Sequence, residues 1–291
     1  MEIAFHLGAH LTDEDRLVRC LMRNRELLGR DGILVPGPGQ YRQHLRKLAY
    51  EMRDQPTNAD TEAALLDALL DEDSGQRVVF SWENFLSQPQ FAVSQGRLYH
   101  AAGERVALLR RLFPTCAVSV HLAIRNPATL LPALIRADAS GALEREVQAG
   151  DPGGLLWSGV LTRILQAAPD VPITVWCDED TPLLWPEILR AVSGHPQGRD
   201  LDGWLGWYAD LVTPKGHAAM RRWFAANPSE DDLHRRRTLS ALVARFARPE
   251  ALETEAAIPG WSEAAIEALD AAHEADLDLI AAMPGVRLIE P

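Results

Sequence analysis

The stretch FHLGAHLTDEDR, residues 5–16, decides how the chain folds, because a strand-like segment passes through a glycine into the start of a helix. Residues 3–7 are mainly apolar, which is typical of a buried parallel strand. Thr12 stands where an N-cap residue is expected. A turn of this kind offers free backbone N–H groups and the positive end of a helix dipole. Anions bind readily at such a turn.

Three further apolar runs follow the same plan, at residues 78–82, 118–124 and 173–176. Helical spacing of apolar residues separates them, over residues 13–30, 41–52, 61–70 and 103–112. Strands that alternate with helices indicate βαβ crossovers. The sequence therefore predicts an α/β fold with a mostly parallel sheet of at least four strands, helices on both faces, and residues 3–7 as a central strand.

The pattern changes after residue 176, where every remaining segment has helical spacing. These segments are residues 185–192, 217–226, 231–246 and 263–283. We interpret residues 1–195 as an α/β core and residues 196–291 as a helical extension packed on it.

Composition narrows the classes of function. The chain has 291 residues, a formal net charge of −12, 47% hydrophobic and 24% charged residues, which is ordinary for a globular protein. Net negative charge repels nucleic acid and anionic membranes, so neither is an expected partner. The three cysteines lie far apart and are odd in number, which disfavours a disulfide framework. With no secretory signal pattern at Met1, we expect a cytoplasmic protein.

The first loop resembles that of the bacterial sulfotransferases, a P-loop-like α/β family in which the pattern His-x-Gly-x-His-Lys-Thr-Gly-Thr-Thr holds the 5′-phosphosulfate of the donor PAPS. Four positions match, and they are His6, Gly8, His10 and Thr12. Four positions depart from the pattern: the lysine is Leu11, the second glycine is Asp13, and the threonine pair is Glu14 and Asp15.

Two later segments extend the resemblance over about the first 195 residues. Ser81-Trp82-Glu83 is similar to the Ser-x-Glu element of the family, in which the acid faces the acceptor; Glu83, with His10, is thereby implied as a catalytic residue. Arg125-Asn126-Pro127 is similar to the Arg-x-Pro that ends a family strand, in which the arginine binds the 3′-phosphate of the donor. The family serine eight residues later is Ala133 here.

The departures change the expected chemistry of the loop. The lysine that pairs with the donor is replaced by Leu11, and Asp13, Glu14 and Asp15 bring three negative charges to the helix start. We therefore expect a sulfotransferase-like protein with impaired or lost PAPS binding. We also expect Arg125 to share a cleft with the start of that helix and to pair with a carboxylate there.

Two alternatives stay open at this point. One is an active PAPS-dependent sulfotransferase that acts on a hydroxyl or amine of a small molecule or glycan, with the donor held by His6, His10, Arg125 and the basic run 234–237. The other is a metal site built from His6, His10 and the acids at 13–15, since imidazole and carboxylate share hard or borderline cations.

Overall fold

The computed structural model has one main sheet and one short hairpin, and it describes residues 1–55, 57–70, 74–150, 154–228, 231–252, 258 and 260–291. In chain order the strands are β1 (Glu2–His6), β2 (Ile33–Leu34), β3 (Arg77–Ser81), β4 (Val93–Ser94), β5 (Arg97–Leu98), β6 (Ala117–Ile124), β7 (Ile173–Cys177) and β8 (Val286–Ile289). The main sheet has the order β2-β3-β1-β6-β7-β8, and every neighbouring pair in it is parallel. The four predicted strands and their parallel arrangement are confirmed, with β1 in the interior of the sheet.

The central strands are buried on both faces, as a parallel sheet between helices requires. On one face, Ile3, Phe5 and Leu7 belong to a large apolar core. On the other face, Ala4 and Trp176 belong to a second core. The α/β class with helices on both faces is therefore confirmed.

Helices connect the strands. They are α1 (Arg16–Arg23), α2 (Arg25–Arg30), α3 (Pro38–Glu51), α4 (Ala59–Leu70), α5 (Ala102–Arg111), α6 (Pro127–Ala137), α7 (Ala142–Ala149), α8 (Trp157–Ala167), α9 (Thr181–Ser193), α10 (Pro214–Ala226), α11 (Asp232–Phe246), α12 (Pro249–Leu252) and α13 (Glu263–Ala281). The helix predicted over residues 13–30 is two helices that meet at Asn24, whose side chain donates to the carbonyl of Cys20. The sequence pattern did not indicate α6, α7 and α8.

The C-terminal third is helical, as expected, but it also supplies a strand. β8 pairs in parallel with β7 and completes one edge of the main sheet. The helices of this part are joined to the sheet layer by ion pairs: Arg236 on α11 contacts Glu187 on α9, and Arg190 on α9 contacts Asp232 on α11. The division of the chain at residue 195 stays a prediction, while the contribution of β8 to the sheet is observed.

Among the described helices, none combines the length and the apolar character that a bilayer crossing requires.

Candidate functional site

The loop that follows β1 lies at the carboxyl edge of the sheet, where open α/β sheets bind ligands. Gly8 has a φ of 91°, and a Cβ atom there would lie 2.9 Å from the Cβ of Glu83. The turn therefore needs glycine at position 8. Leu11, Glu14 and Asp15 also have positive φ, so the chain is irregular until α1 begins at Arg16.

Two carboxylates accept hydrogen bonds from backbone N–H groups around this loop. Glu83 Oε2 accepts from Leu11 N at 3.3 Å, and Asp13 Oδ2 accepts from Leu17 N at 3.1 Å. The expectation that Thr12 is the N-cap is wrong, because its hydroxyl donates to the carbonyl of Ala9 at 2.8 Å and the helix begins four residues later. Asp13 supplies the carboxylate that an N-terminal N–H group requires.

Burial of Glu83 raises the pKa of its carboxyl group, with Asp13 and Asp15 adding negative potential and the Leu11 N–H partly opposing the rise. Glu83 lies two residues after the end of β3 and is half-buried beside Gly8. A carboxyl group with a raised pKa is suited to proton transfer. The catalytic role implied for Glu83 stays a prediction.

Arg42, on α3, was not predicted from the sequence to belong to this site. Its guanidinium makes a bidentate pair with the Asp15 carboxylate, at 3.0 Å and 2.5 Å, and also donates to the carbonyl of Ser81. The hydrogen bond from Arg42 lowers the pKa of Asp15, and burial partly opposes this effect. The negative charge that Asp15 brings to the loop is thus compensated inside the fold.

His10 is fully buried, and both of its ring nitrogens have partners. Tyr99 Oη lies 2.7 Å from Nδ1 and accepts from the His10 backbone N at 3.3 Å, while Asn84 Oδ1 lies 2.9 Å from Nε2. The phenol therefore donates to Nδ1, and Nε2–H donates to the amide oxygen. Burial lowers the pKa of His10, which keeps the ring neutral. The catalytic role implied for His10 stays a prediction.

His6 ends β1, and its ring is buried against neighbouring strands of the sheet. Its Nδ1 lies 2.8 Å from Ser81 Oγ, its ring stacks on Trp176 with centroids 5.9 Å apart, and Nε2 is buried without a hydrogen-bond partner in the described part of the chain. Burial lowers the pKa of His6. A neutral imidazole enclosed in this way packs the sheet.

Arg125 shares a cleft with the start of α1, as expected. The cleft has a volume of about 450 Å³, and Thr12, Arg16 and Asp178 also line it. Arg125 Nη1 donates to the carbonyl of Leu11 at 3.1 Å and Nε donates to Thr129 Oγ1 at 3.2 Å. The expected pairing with a carboxylate is wrong, because in the described part of the chain its hydrogen-bond partners are these two neutral oxygens.

Asp178 is the residue of this cleft that the sequence did not single out. It follows β7 directly and begins a short acidic turn, residues 178–180. Burial, together with the neighbouring Glu179, raises the pKa of Asp178 to about 7, and the positive charge of Arg125 opposes the rise. The position of an acid at the carboxyl end of a parallel strand was the signal in the sequence.

The basic run at residues 234–237 has internal partners. Arg235 pairs with Asp200 and Arg236 with Glu187. These contacts join α11 to Asp200 and to α9. Residues 234–237 therefore do not extend the cleft at Arg125. Aromatic side chains of the C-terminal part pack on one another, and the ring centroids of Trp204 and Phe224 lie 5.0 Å apart.

No group of three or more histidine, cysteine, aspartate or glutamate side chains that could hold a metal ion is found among the residues that the structure describes. Around the first loop, His6 faces the sheet while Asp13 and Asp15 are held by Leu17 N and Arg42.

A scan against models of protein families finds no match for the chain, and neither does a search of curated proteins. Among solved structures, the chain is similar to the sulfotransferase domain of the olefin synthase from Synechococcus PCC 7002. The two share 14% identity over 94% of each chain, with a TM-score of 0.38. A likeness this distant does not establish a shared activity.

Proposed function

We propose that this protein is a sulfotransferase-like α/β binding protein whose first loop binds PAPS weakly or not at all. The observation that carries the proposal is the contact between Glu83 Oε2 and the Leu11 N–H, because it places a carboxylate where a phosphate-binding turn keeps its N–H groups free.

Charge around the loop supports the same conclusion. Asp13 is held against the N-terminus of α1 and Glu83 against Leu11. A phosphate about 5 Å from a carboxylate meets a repulsion on the order of 3 kcal/mol per pair of unit charges at an effective dielectric constant near 20. Arg42 does not offset this repulsion, because Asp15 already occupies its guanidinium.

A second candidate is an active PAPS-dependent sulfotransferase that acts on a hydroxyl or amine acceptor. Arg125 is the observation that favours it, since its guanidinium faces the 450 Å³ cleft with neutral hydrogen-bond partners and so retains its charge for an anion. In this candidate Arg125 binds a donor phosphate and Glu83, with its raised pKa, takes the acceptor proton.

Calorimetric titration with PAPS and with adenosine 3′,5′-bisphosphate distinguishes the two candidates. We expect no binding by the unmodified protein at concentrations up to about a millimolar, which corresponds to about 4 kcal/mol. Leu11→Lys with Glu83→Gln restores a cation and removes the negative charge beside the Leu11 N–H without disturbing the Asp13 and Asp15 contacts. This variant should bind adenosine 3′,5′-bisphosphate at least about tenfold more tightly.

The fuller variant Leu11→Lys, Asp13→Gly, Glu14→Thr, Asp15→Thr also releases Arg42, but it removes the carboxylate from Leu17 N, so its fold is checked by circular dichroism. Adding Arg125→Gln to either variant should abolish the gain, while Arg222→Gln on the exposed face of α10 serves as the control. Micromolar binding by the unmodified protein would contradict the proposal and establish the second candidate as the better one.

A further inference from the structure

We infer that a second cleft, lined in part by Asn84, binds a small organic anion that carries a flat aromatic group. The cleft has a volume of about 440 Å³ and lies between α3, the turn after β3 and the first turn of α5. Its walls include Arg46, Tyr50, Asn84, Phe91 and Arg105. These residues are distinct from those lining the cleft at Arg125, so the inference does not rest on the proposed function.

The charge of this cleft is opposite to that of the chain. The protein carries a net charge of −12, yet of the described residues that line the cleft none is acidic and two are arginines. Neighbouring arginines pair with acids, as Arg53 does with Glu104 and Arg42 with Asp15. A local positive potential in a concave site concentrates anions.

The two arginines of the cleft contact rings instead of acids. The Arg46 Cζ lies 5.3 Å from the centroid of the Trp82 ring, and the Arg105 Cζ lies 4.5 Å from that of Tyr50. Within the described chain neither guanidinium forms an ion pair, and Arg105 Nε is buried with no hydrogen-bond partner. A carboxylate or sulfonate accepts hydrogen bonds from the planar fork of a guanidinium, which stays free to bind while its face rests on a ring.

Aromatic surface is exposed beside these cations. Phe91 is 58% exposed and Tyr50 is 42% exposed, and both belong to the small set of large apolar residues that the fold leaves open to solvent. A flat ring can stack on Phe91 and bury area that water otherwise covers, whereas the ring of Tyr50 already carries the guanidinium of Arg105. The ligand therefore needs both an anionic group and an aromatic face.

Asn84 adds a donor to the same wall. Its Oδ1 is engaged by the Nε2–H of His10, whose orientation the Tyr99 hydroxyl sets through Nδ1. The Nδ2 amide group of Asn84 can therefore donate to a ligand. Together with the guanidinium groups of Arg46 and Arg105, it gives this wall three donor groups. Three donor groups, two of them cationic, favour an anion over a neutral or cationic ligand.

The test is calorimetric titration of the unmodified protein with naphthalene-2-sulfonate and 2-naphthoate, compared with neutral 2-naphthylmethanol and with inorganic sulfate. We expect both aromatic anions to bind at least about tenfold more tightly than either comparison ligand, a factor that corresponds to one hydrogen bond to a charged group. Their affinity should fall as ionic strength rises. Arg125→Gln should leave it unchanged, because Arg125 lines the other cleft, and this separates the two sites.

Substitutions locate the site. Arg46→Gln and Arg105→Gln should each weaken binding of naphthalene-2-sulfonate at least about tenfold, and Phe91→Ser, at an exposed position, should weaken it with little effect on folding. Arg222→Gln is the matched control and should bind as the unmodified protein does. Equal binding of the neutral analogue overturns the inference, as does unchanged binding by the folded arginine variants. Binding of an acidic peptide but of neither aromatic anion overturns it as well.

Discussion

Replacing Asp178 by asparagine tests whether the cleft at Arg125 holds a protonated acid. The pKa of Asp178 rises from 3.8 to about 7 because the carboxyl group is buried and Glu179 lies beside it. The fold thus favours the protonated form, and its ionisation opposes folding. The contribution of Asp178 to stability is fully present below pH 3.8, decreases as the pH rises, and is lost above pH 7.

The two pKa values fix the size of the effect. Between pH 5 and pH 8 the free energy of unfolding should fall by about 1.5 to 2.5 kcal/mol through Asp178 alone, the lower figure allowing for a folded pKa one unit smaller. Asp178→Asn keeps the shape and cannot ionise. The variant should therefore gain stability relative to the unmodified protein by that amount over this interval.

Urea unfolding followed by tryptophan fluorescence at pH 5, 6, 7 and 8 measures this difference. Asp278→Asn, at an exposed position on α13, is the control. The difference in stability between this variant and the unmodified protein should not change between pH 5 and pH 8. A stability difference between Asp178→Asn and the unmodified protein that stays constant from pH 5 to pH 8 would refute the reasoning, since it would mean that Asp178 is ionised throughout.

Two further substitutions address stability elsewhere. Burial and the nearby Arg190 lower the pKa of His195 from 6.5 to about 4. The folded state therefore favours the neutral ring, and stability is lost as the pH falls below 6.5. In the same unfolding assay, His195→Asn should reduce the loss of stability between pH 8 and pH 5 by about 1 to 2 kcal/mol. Glu62 is 3% exposed and accepts from Thr115 N at 2.7 Å and Thr115 Oγ1 at 2.6 Å. Glu62→Gln should lower the free energy of unfolding by about 1 to 2 kcal/mol at pH 7, whereas Asp67→Asn, exposed on the same helix, should leave it unchanged; equal stability of the two variants would contradict this role.

The sequence predicted the parts of the fold whose local pattern is strong. Apolar runs at 3–7, 78–82, 118–124 and 173–176 are long enough to identify strands, and all four lie side by side in the sheet. β2 has two residues and β8 has four, with Arg287 among them, so neither is long or apolar enough to be recognised. Helix α6 was hidden by Pro132 in its interior, which usually argues against a helix.

Site residues that follow directly from the end of one strand could be predicted from the sequence. Site residues that are brought in by contacts between distant segments could not. Arg125 could be placed because it ends β6. The pair between Arg42 and Asp15 joins residues that are far apart in sequence, and nothing local to either one indicates it. Thr12 was assigned a capping role because the positive φ of Leu11, Glu14 and Asp15 is not visible in residue type.

The position of β8 at the edge of the main sheet governs the order in which the fold can be completed. In the described part of the chain, residues 286–289 pair with the edge of β7 that faces away from β6, so a chain that lacks them leaves a row of unpaired backbone groups on a hydrophobic strand. Such an edge is a template for pairing with another chain, and contacts between segments so far apart in sequence form slowly. We therefore expect a chain without residues 286–289 to aggregate more readily and to depend more on chaperones than one that has them.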